Sequence, residues 1–151
     1  MKKIGIITSK GGHLLEISQL IPLFSKYRHF WVSFKGKDVL HLKNRGKIYY
    51  ANYPETRHAI NFIKNLYLAS RVFAIEKPTT LISCGAGIAL PFFVIGKLFF
   101  KTRIMYIESF DCIAYPSLTG RLVYNLADLF LVQHKEQKKW YPKAKYWGSL
   151  L

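Results

Sequence analysis

Lys3-Ile4-Gly5-Ile6-Ile7-Thr8-Ser9-Lys10-Gly11-Gly12-His13-Leu14-Leu15-Glu16-Ile17 is the stretch on which the fold turns. Lys3 to Thr8 is a short apolar run of strand length, and Leu14 to Ile17 opens a helix-like run. Between them, Gly11 and Gly12 let the backbone approach a ligand closely, and N–H groups of the following helix point toward it. Lys10 and His13 add a cation and an imidazole. The arrangement suits a phosphate, since charge-assisted hydrogen bonds contribute about 1.5–3 kcal/mol each. The same turn also serves as a plain tight connection. No Gly-Lys-Ser/Thr follows, so it is not a Walker loop, and it is not G-x-G-x-x-G. The second strand ends in Lys35 and Lys37 instead of the acid that holds a nicotinamide ribose, which disfavours NAD.

Outward from this turn the pattern repeats. Strands are predicted over 3–8, 29–34, 47–52, 79–84, 103–108 and 128–133. Helices are predicted over 13–26, 57–76, 88–100, 117–126 and 134–140, with a short one over 37–43. Most strands are continuous apolar runs, as expected when both faces are covered. The alternation predicts an α/β fold, a Rossmann-like doubly wound parallel sheet with right-handed crossovers, in a single domain over 1–151. Ligands in such sheets bind beyond the carboxyl ends of the strands. Three loops leave those ends, Ser9 to His13, Ser83 to Gly87 and Glu108 to Ser117, and they are expected to converge on one crevice.

The 151 residues suit one domain with a sizeable core. Half are hydrophobic and 16% are aromatic, which excludes a disordered chain. Lys and Arg number 23 against 8 acidic residues, a formal net charge of +15 that asks for a polyanionic partner. The cations are spread out, with concentrations over Lys97 to Arg103 and Lys135 to Lys145. No nucleic-acid-binding motif accompanies them, so a phosphorylated substrate or an anionic membrane fits better than nucleic acid. Cys84 and Cys112 read as free thiols of a reducing cytoplasm, and no Cys/His spacing makes a metal site. The apolar stretch after Met1-Lys2-Lys3 is too short for a signal peptide. Pro78 to Gly96 is uncharged, yet Ser83, Gly85, Gly87 and Pro91 interrupt it, so it reads as strand, turn and helix and not as a membrane span.

Further candidates each carry two readings. The glycines of Cys84-Gly85-Ala86-Gly87 admit a sugar or phosphate, or only let a helix pack closely on the sheet. In Tyr106-Ile107-Glu108-Ser109-Phe110-Asp111, Glu108 ends an apolar strand and is expected to face the crevice as a base or a sugar ligand; the alternative is a carboxylate satisfied by loop amides. Glu16 either orients His13 or is a solvent-facing first-turn acid. In the helix of Arg57 to Glu76, Ile60, Ile63 and Phe73 are expected on the sheet, with Asn61, Lys64, Asn65 and Arg71 on the polar side. Phe99 and Phe100, flanked by Lys97, Lys101 and Arg103, suit either an anionic bilayer or the core.

Several stretches together resemble one family. They are Ser9-Lys10-Gly11-Gly12-His13-Leu14-Leu15-Glu16, Gly85-Ala86-Gly87-Ile88-Ala89-Leu90-Pro91-Phe92-Phe93, Tyr106-Ile107-Glu108-Ser109-Phe110 and Pro116-Ser117-Leu118-Thr119-Gly120-Arg121-Leu122-Val123-Tyr124. Ala127-Asp128-Leu129-Phe130, Trp140-Tyr141-Pro142-Lys143-Ala144 and Gly148 extend the likeness to the tail. The chain is identified by these as similar to the PssD/CpsF-like polysaccharide biosynthesis proteins. These are relatives of the membrane subunit of the eukaryotic dolichol-diphosphate N-acetylglucosaminyltransferase.

The resemblance implies a GT-B N-terminal-type domain like that of MurG. It implies the acceptor-binding, membrane-associating subunit of an inverting glycosyltransferase, inactive without a separate donor-binding subunit. That subunit is a GT-B C-terminal-type chain, forms the heterodimer and holds the nucleotide-sugar donor, expected to be a UDP-sugar; no cofactor is tightly bound here. The implied acceptor is a polyprenyl-diphosphate-linked saccharide at the cytoplasmic face of the membrane, with peripheral attachment. Lys10, Gly11, Gly12, His13, Gly85, Gly87 and Ser109 map to acceptor and diphosphate binding, and Glu108 and His13 to catalysis. Lys97, Phe99, Phe100 and Lys101 are expected at the membrane. No metal is demanded, because no Asp-x-Asp pair is present. The rival expectations are a stand-alone nucleotide-binding Rossmann module and a non-enzymatic basic protein binding membrane or nucleic acid.

Overall fold

Seven strands form one parallel sheet in the computed structural model, which describes residues 2–55 and 57–151. They are β1 (Lys3–Ile7), β2 (Arg28–Ser33), β3 (Lys47–Tyr50), β4 (Thr80–Cys84), β5 (Arg103–Ile107), β6 (Leu129–Val132) and β7 (Lys145–Tyr146). Their order is β3-β2-β1-β4-β5-β6-β7, and every pairing is parallel. The order reverses between β1 and β4, which opens the crevice of a doubly wound sheet at the carboxyl ends of those strands. The helices are α1 (Gly12–Ser18), α2 (Ile21–Phe24), α3 (Ala59–Glu76), α4 (Ala89–Phe99) and α5 (Leu118–Val123), with 3₁₀ helices over Lys37–Asn44 and Lys135–Lys139.

The apolar runs bury both sides of the sheet, because successive side chains point to opposite faces. Ile7, Phe30, Val32, Leu81 and Tyr106 join the core under α3, α4 and α5. Ile6, Trp31, Ile82 and Ile107 join the core on the other face, with Leu14, Ile17 and Phe24 of α1 and α2. All six predicted strands form. The two-residue β7 carries too short a pattern to be read in advance.

Three local readings are corrected. The predicted helix over 13–26 is two helices, because Pro22 lacks the N–H that would continue the ladder through Gln19 and Leu20. The segment over 134–140 tightens into a 3₁₀ helix, its N–H at Gln137 bonding the carbonyl of His134. The third correction concerns the rotation of α3. Asn61 and Asn65 face inward, 8% and 1% exposed, while Ile60 and Ile63 face outward, 63% and 64% exposed. Polar partners decide this. Asn65 Oδ1 accepts the backbone N–H of Asn52 at 2.8 Å and Asn65 Nδ2 donates to the Asn52 carbonyl at 3.1 Å. Asn61 Nδ2 donates to the Pro54 carbonyl at 3.0 Å. The asparagines thus satisfy the loop entering the helix, and burial of those polar groups outranks burial of two isoleucines. Phe73 packs inside as expected.

Candidate functional site

The three loops meet beyond the strand ends. Gly85 sits at φ +65, and a methyl group there would run into the His13 ring and lie 3.0 Å from Ser109 Cβ. The β1, β4 and β5 loops therefore place His13, Gly85 and Ser109 side by side. Gly11 is exposed at φ +68, and its N–H donates to Asp38 Oδ2 at 3.1 Å. A carboxylate thus occupies a donor of the kind an anionic ligand would use. Gly12 has open space where a side chain would stand. Lys10 is exposed, with Nζ 5.7 Å from the centre of the Tyr53 ring.

Under this surface lies a buried polar network centred on Glu16, which is 4% exposed. Glu16 Oε2 accepts from Cys84 Sγ at 3.0 Å, from the Phe110 N–H at 3.1 Å and from Gln133 Nε2. Glu16 Oε1 lies 3.2 Å from Ser109 Oγ and 3.9 Å from His13 Nδ1. The last distance is within ion-pair range and beyond a hydrogen bond. The solvent-facing reading of Glu16 is overturned, because its carboxylate meets buried donors from three other segments. Burial, followed by the Glu16 charge, pushes the Cys84 thiol well above its usual range, so it stays protonated and donates.

His13 is the chemically open member. Its side chain is 32% exposed, and Nδ1 is buried and makes no hydrogen bond. The nitrogen left for a ligand is Nε2. Asp111 is the exposed carboxylate of the β5 loop. The Ser109 hydroxyl donates to its Oδ1 at 2.6 Å, and this bond outweighs burial and holds the Asp111 pKa below the usual carboxylate range.

Glu108 does not face the crevice. It is fully buried, with Oε1 accepting the Ser109 N–H at 2.9 Å and Oε2 accepting the Tyr141 hydroxyl. The side chain turns beneath α5, where a methyl on Gly120 would strike its carboxylate. The expectation of a strand-end acid aimed at substrate gives way to the alternative of a carboxylate satisfied locally, with Tyr141 as the added partner. Burial first, then the Glu108 contact, raises the Tyr141 pKa, so its proton stays in place as donor.

Gln133, Gln137, Asp111 and Asp38 were not singled out in advance. Gln137 Nε2 donates to the carbonyls of Ser109 at 2.8 Å and Cys112 at 3.2 Å, which holds the β5 loop. Gln133 Nε2 also donates to the Glu108 carbonyl at 3.0 Å. Two uncharged amides four residues apart after the apolar run Leu129-Phe130-Leu131-Val132 were the available signal.

Gly87 lies two residues past Gly85 and lines a groove between α3 and α5. Lys97, Phe99, Phe100 and Lys101 lie elsewhere. They end α4 at the amino ends of the strands, where Lys97 pairs with Asp128 just before β6. Phe100 stacks on Phe73 at 4.7 Å, so it belongs partly to the core, whereas Phe99 is 71% exposed. This cluster and the crevice occupy opposite ends of the sheet. Among the described residues, no group of three His, Cys, Asp or Glu is placed to hold a metal ion. Among them, too, no helix is long and apolar enough to cross a membrane.

Comparison with known proteins converges on one group. Residues 52–150 match the family described as oligosaccharide biosynthesis protein Alg14 like. The UDP-N-acetylglucosamine transferase subunit ALG14 of Mus musculus is 32% identical over 177 residues, covering 97% of this chain and 82% of that protein. That of Debaryomyces hansenii is 35% identical over 100 residues, covering 63% of this chain and 41% of that protein. These names correspond to the eukaryotic relative of the motif-based resemblance and not to the PssD/CpsF-like name itself. Among solved structures, MurG of Acinetobacter baumannii superposes with a TM-score of 0.76 at 15% identity, covering 90% of this chain and 43% of that one. A UDP-N-acetylglucosamine 2-epimerase from Rickettsia bellii gives 0.76 at 15% identity, over 99% and 45%. At this identity the likeness establishes the fold, a Rossmann-like GT-B N-terminal-type domain. The chain spans less than half of either structure.

Proposed function

The chain belongs to the Alg14-like oligosaccharide biosynthesis family, and on that premise we propose that it is the acceptor-binding subunit of a two-chain inverting glycosyltransferase. The acceptor is a polyprenyl-diphosphate-linked saccharide. The donor is a UDP-sugar, UDP-N-acetylglucosamine by analogy with the relatives' names, and it is held mainly by a GT-B C-terminal-type partner. The observation that carries the reading is the open Gly11-Gly12-His13 turn beyond the strand ends, in a chain whose relatives are named as transferase subunits.

In this reading Lys10 and the N–H groups of Gly11 and Gly12 bind the diphosphate, and the phosphate displaces Asp38 from Gly11. Gly85 and Ser109 border the acceptor sugar, with Gly87 two residues further on. The acceptor hydroxyl oxygen attacks the anomeric carbon of the donor, the bond from that carbon to the UDP oxygen breaks with its electron pair, and configuration inverts. His13 Nε2 accepts the hydroxyl proton, with Glu16 on the far side of the ring to stabilise the imidazolium. Glu108, sealed beneath α5, positions the β5 loop instead of taking the proton. The subunit works at the cytoplasmic face of the membrane, attached peripherally.

The test is reconstitution. The purified chain alone is expected to be inert, and co-expression with its donor-binding partner is expected to give transfer from UDP-N-acetylglucosamine onto a polyprenyl-diphosphate acceptor. Full turnover by the single chain, or none by the pair with any UDP-sugar, overturns the reading.

A further inference from the structure

One hydroxyl proton stands between two carboxylates beneath the crevice. Ser109 Oγ lies 2.6 Å from Asp111 Oδ1 and 3.2 Å from Glu16 Oε1. A serine has a single O–H to donate, so it serves one of these oxygens at a time. The shorter contact takes it, which leaves Glu16 Oε1 without the Ser109 proton. The backbone of Ser109 is pinned, its N–H donating to Glu108 Oε1 at 2.9 Å and its carbonyl accepting from Gln137 Nε2 at 2.8 Å. Only the hydroxyl is left to turn.

The two oxygens of Glu16 are unequally served. Oε2 accepts from Cys84, Phe110 and Gln133. Among the described residues, the polar atoms beside Oε1 are Ser109 Oγ and His13 Nδ1, and Nδ1 is buried, without a hydrogen bond and 3.9 Å away. A closure of about 1 Å brings the Nδ1–H onto Oε1. Asp111 is exposed, and Cys112 Sγ lies 3.6 Å from the same Oδ1 that Ser109 serves. The Cys112 thiol is pushed up to about 12 by burial first and then by the Glu108 and Asp111 charges, so it is a second donor to Asp111. The ionisable groups about the imidazole are Glu16 on its own helix, Asp111 from the β5 loop and the protonated Cys84 thiol at the end of β4. Glu108 turns away beneath α5, and the Lys10 head lies toward Tyr53.

We propose that Asp111 is a positioning residue for the base: by holding the Ser109 proton it reserves Glu16 Oε1 for the Nδ1–H of His13. This rests on the preceding reading, in which the acceptor hydroxyl gives its proton to Nε2. The ring then carries one positive charge, and the Nδ1–H that closes onto Oε1 meets a carboxylate oxygen with no competing donor. Without Asp111 the Ser109 hydroxyl turns to Oε1 and competes with the imidazolium for it, so the base is weaker.

The experiment follows the His13 Cε1 proton by NMR through a pH titration of the purified full chain, the resonance assigned by its loss in His13→Asn. Asp111→Asn removes the charge and keeps an oxygen for Ser109, whereas Asp111→Ala removes both. The midpoint in Asp111→Ala is expected about 0.5 pH unit or more below that in Asp111→Asn, the weight of one hydrogen bond. Adding Ser109→Ala to Asp111→Ala removes the competing hydroxyl and is expected to return the midpoint to the Asp111→Asn value. Equal midpoints in Asp111→Asn and Asp111→Ala, the result of a bare charge effect, overturn the proposal even without the double variant. So does a double variant that stays with Asp111→Ala. In the reconstituted pair, Asp111→Ala is expected to lower kcat about threefold or more at an unchanged acceptor KM, with Asp111→Asn restoring it. A change in KM alone overturns the proposal and makes Asp111 a substrate ligand. The titration needs neither partner nor acceptor, so absence of transfer by the wild-type pair, which sinks the transferase reading, remains distinguishable from failure of the Asp111 assignment.

Discussion

Phe110 donates its backbone N–H to Glu16 Oε2 at 3.1 Å, tying α1 to a loop 94 residues downstream. Through this bond and those from Cys84 and Gln133, one carboxylate aligns the loops after β1, β4, β5 and β6. Glu16→Ala strands several buried donors at about 1–3 kcal/mol each, so thermal unfolding should show a loss of about 3 kcal/mol or more. Hydrogen exchange should quicken at the Phe110 amide beyond the global change, because its acceptor is gone.

The two former candidates for the base separate by substitution in the reconstituted pair. His13→Ala should lower turnover at saturating acceptor by ~10²–10⁴-fold, the usual contribution of a positioned base. Glu108→Gln should keep most of its turnover, because the amide oxygen still accepts from Tyr141 or Ser109. Its cost should appear in stability. A pH–rate profile checks the assignment: a base limb present in Glu108→Gln and absent in His13→Ala identifies the group that carries the proton.

Two glycines of the crevice should respond differently. Gly12→Val meets no protein atom within 4 Å of its Cβ. Its unfolding midpoint should stay near wild type while the acceptor KM rises, as the side chain fills space meant for the ligand. Gly85→Val meets both a left-handed backbone and the His13 ring. It should lose about 1–3 kcal/mol of stability, in addition to activity. Equal destabilisation by the two would show that the turn is only structural.

Stability should fall in acid through Glu76, at the other end of the sheet. Glu76 is buried and pairs with Lys3, with Lys47 at 3.3 Å and with the Tyr49 hydroxyl. Burial alone would raise its pKa, but the bonds from Lys3, Tyr49 and Lys47 outweigh it and the pKa is lowered. A folded pKa below the unfolded one gives stability that is complete above the ordinary glutamate range near 4.3 and is lost as pH falls through the folded value. Glu76→Gln should cost about 1.5–3 kcal/mol at neutral pH and flatten the loss of stability in that acid window, as measured by urea unfolding across pH.

The positions of β1 to β6 and the meeting of their loops were legible in the chain. A run such as Leu81-Ile82-Ser83-Cys84 carries its own strand signal, and parallel topology brings successive strand ends to one edge. The Gly11-Gly12-His13 turn was legible for the same reason, since its residue types state their backbone needs locally. The facing of side chains was not. Apolar periodicity alone put Ile60 and Ile63 on the sheet, whereas the backbone of Asn52 and Pro54 claimed Asn65 and Asn61 and turned the helix over. Glu108 and Glu16 exchanged their expected roles likewise. A strand-end acid met Tyr141, 33 residues on, and was sealed, while a first-turn acid met donors from three distant segments. Local sequence specifies which residues need a hydrogen-bond partner, and only the packed fold specifies which partner arrives. For that reason the crevice was visible in the chain, while the open imidazole within it and the outward turn of Ile60 and Ile63 were decided by tertiary structure.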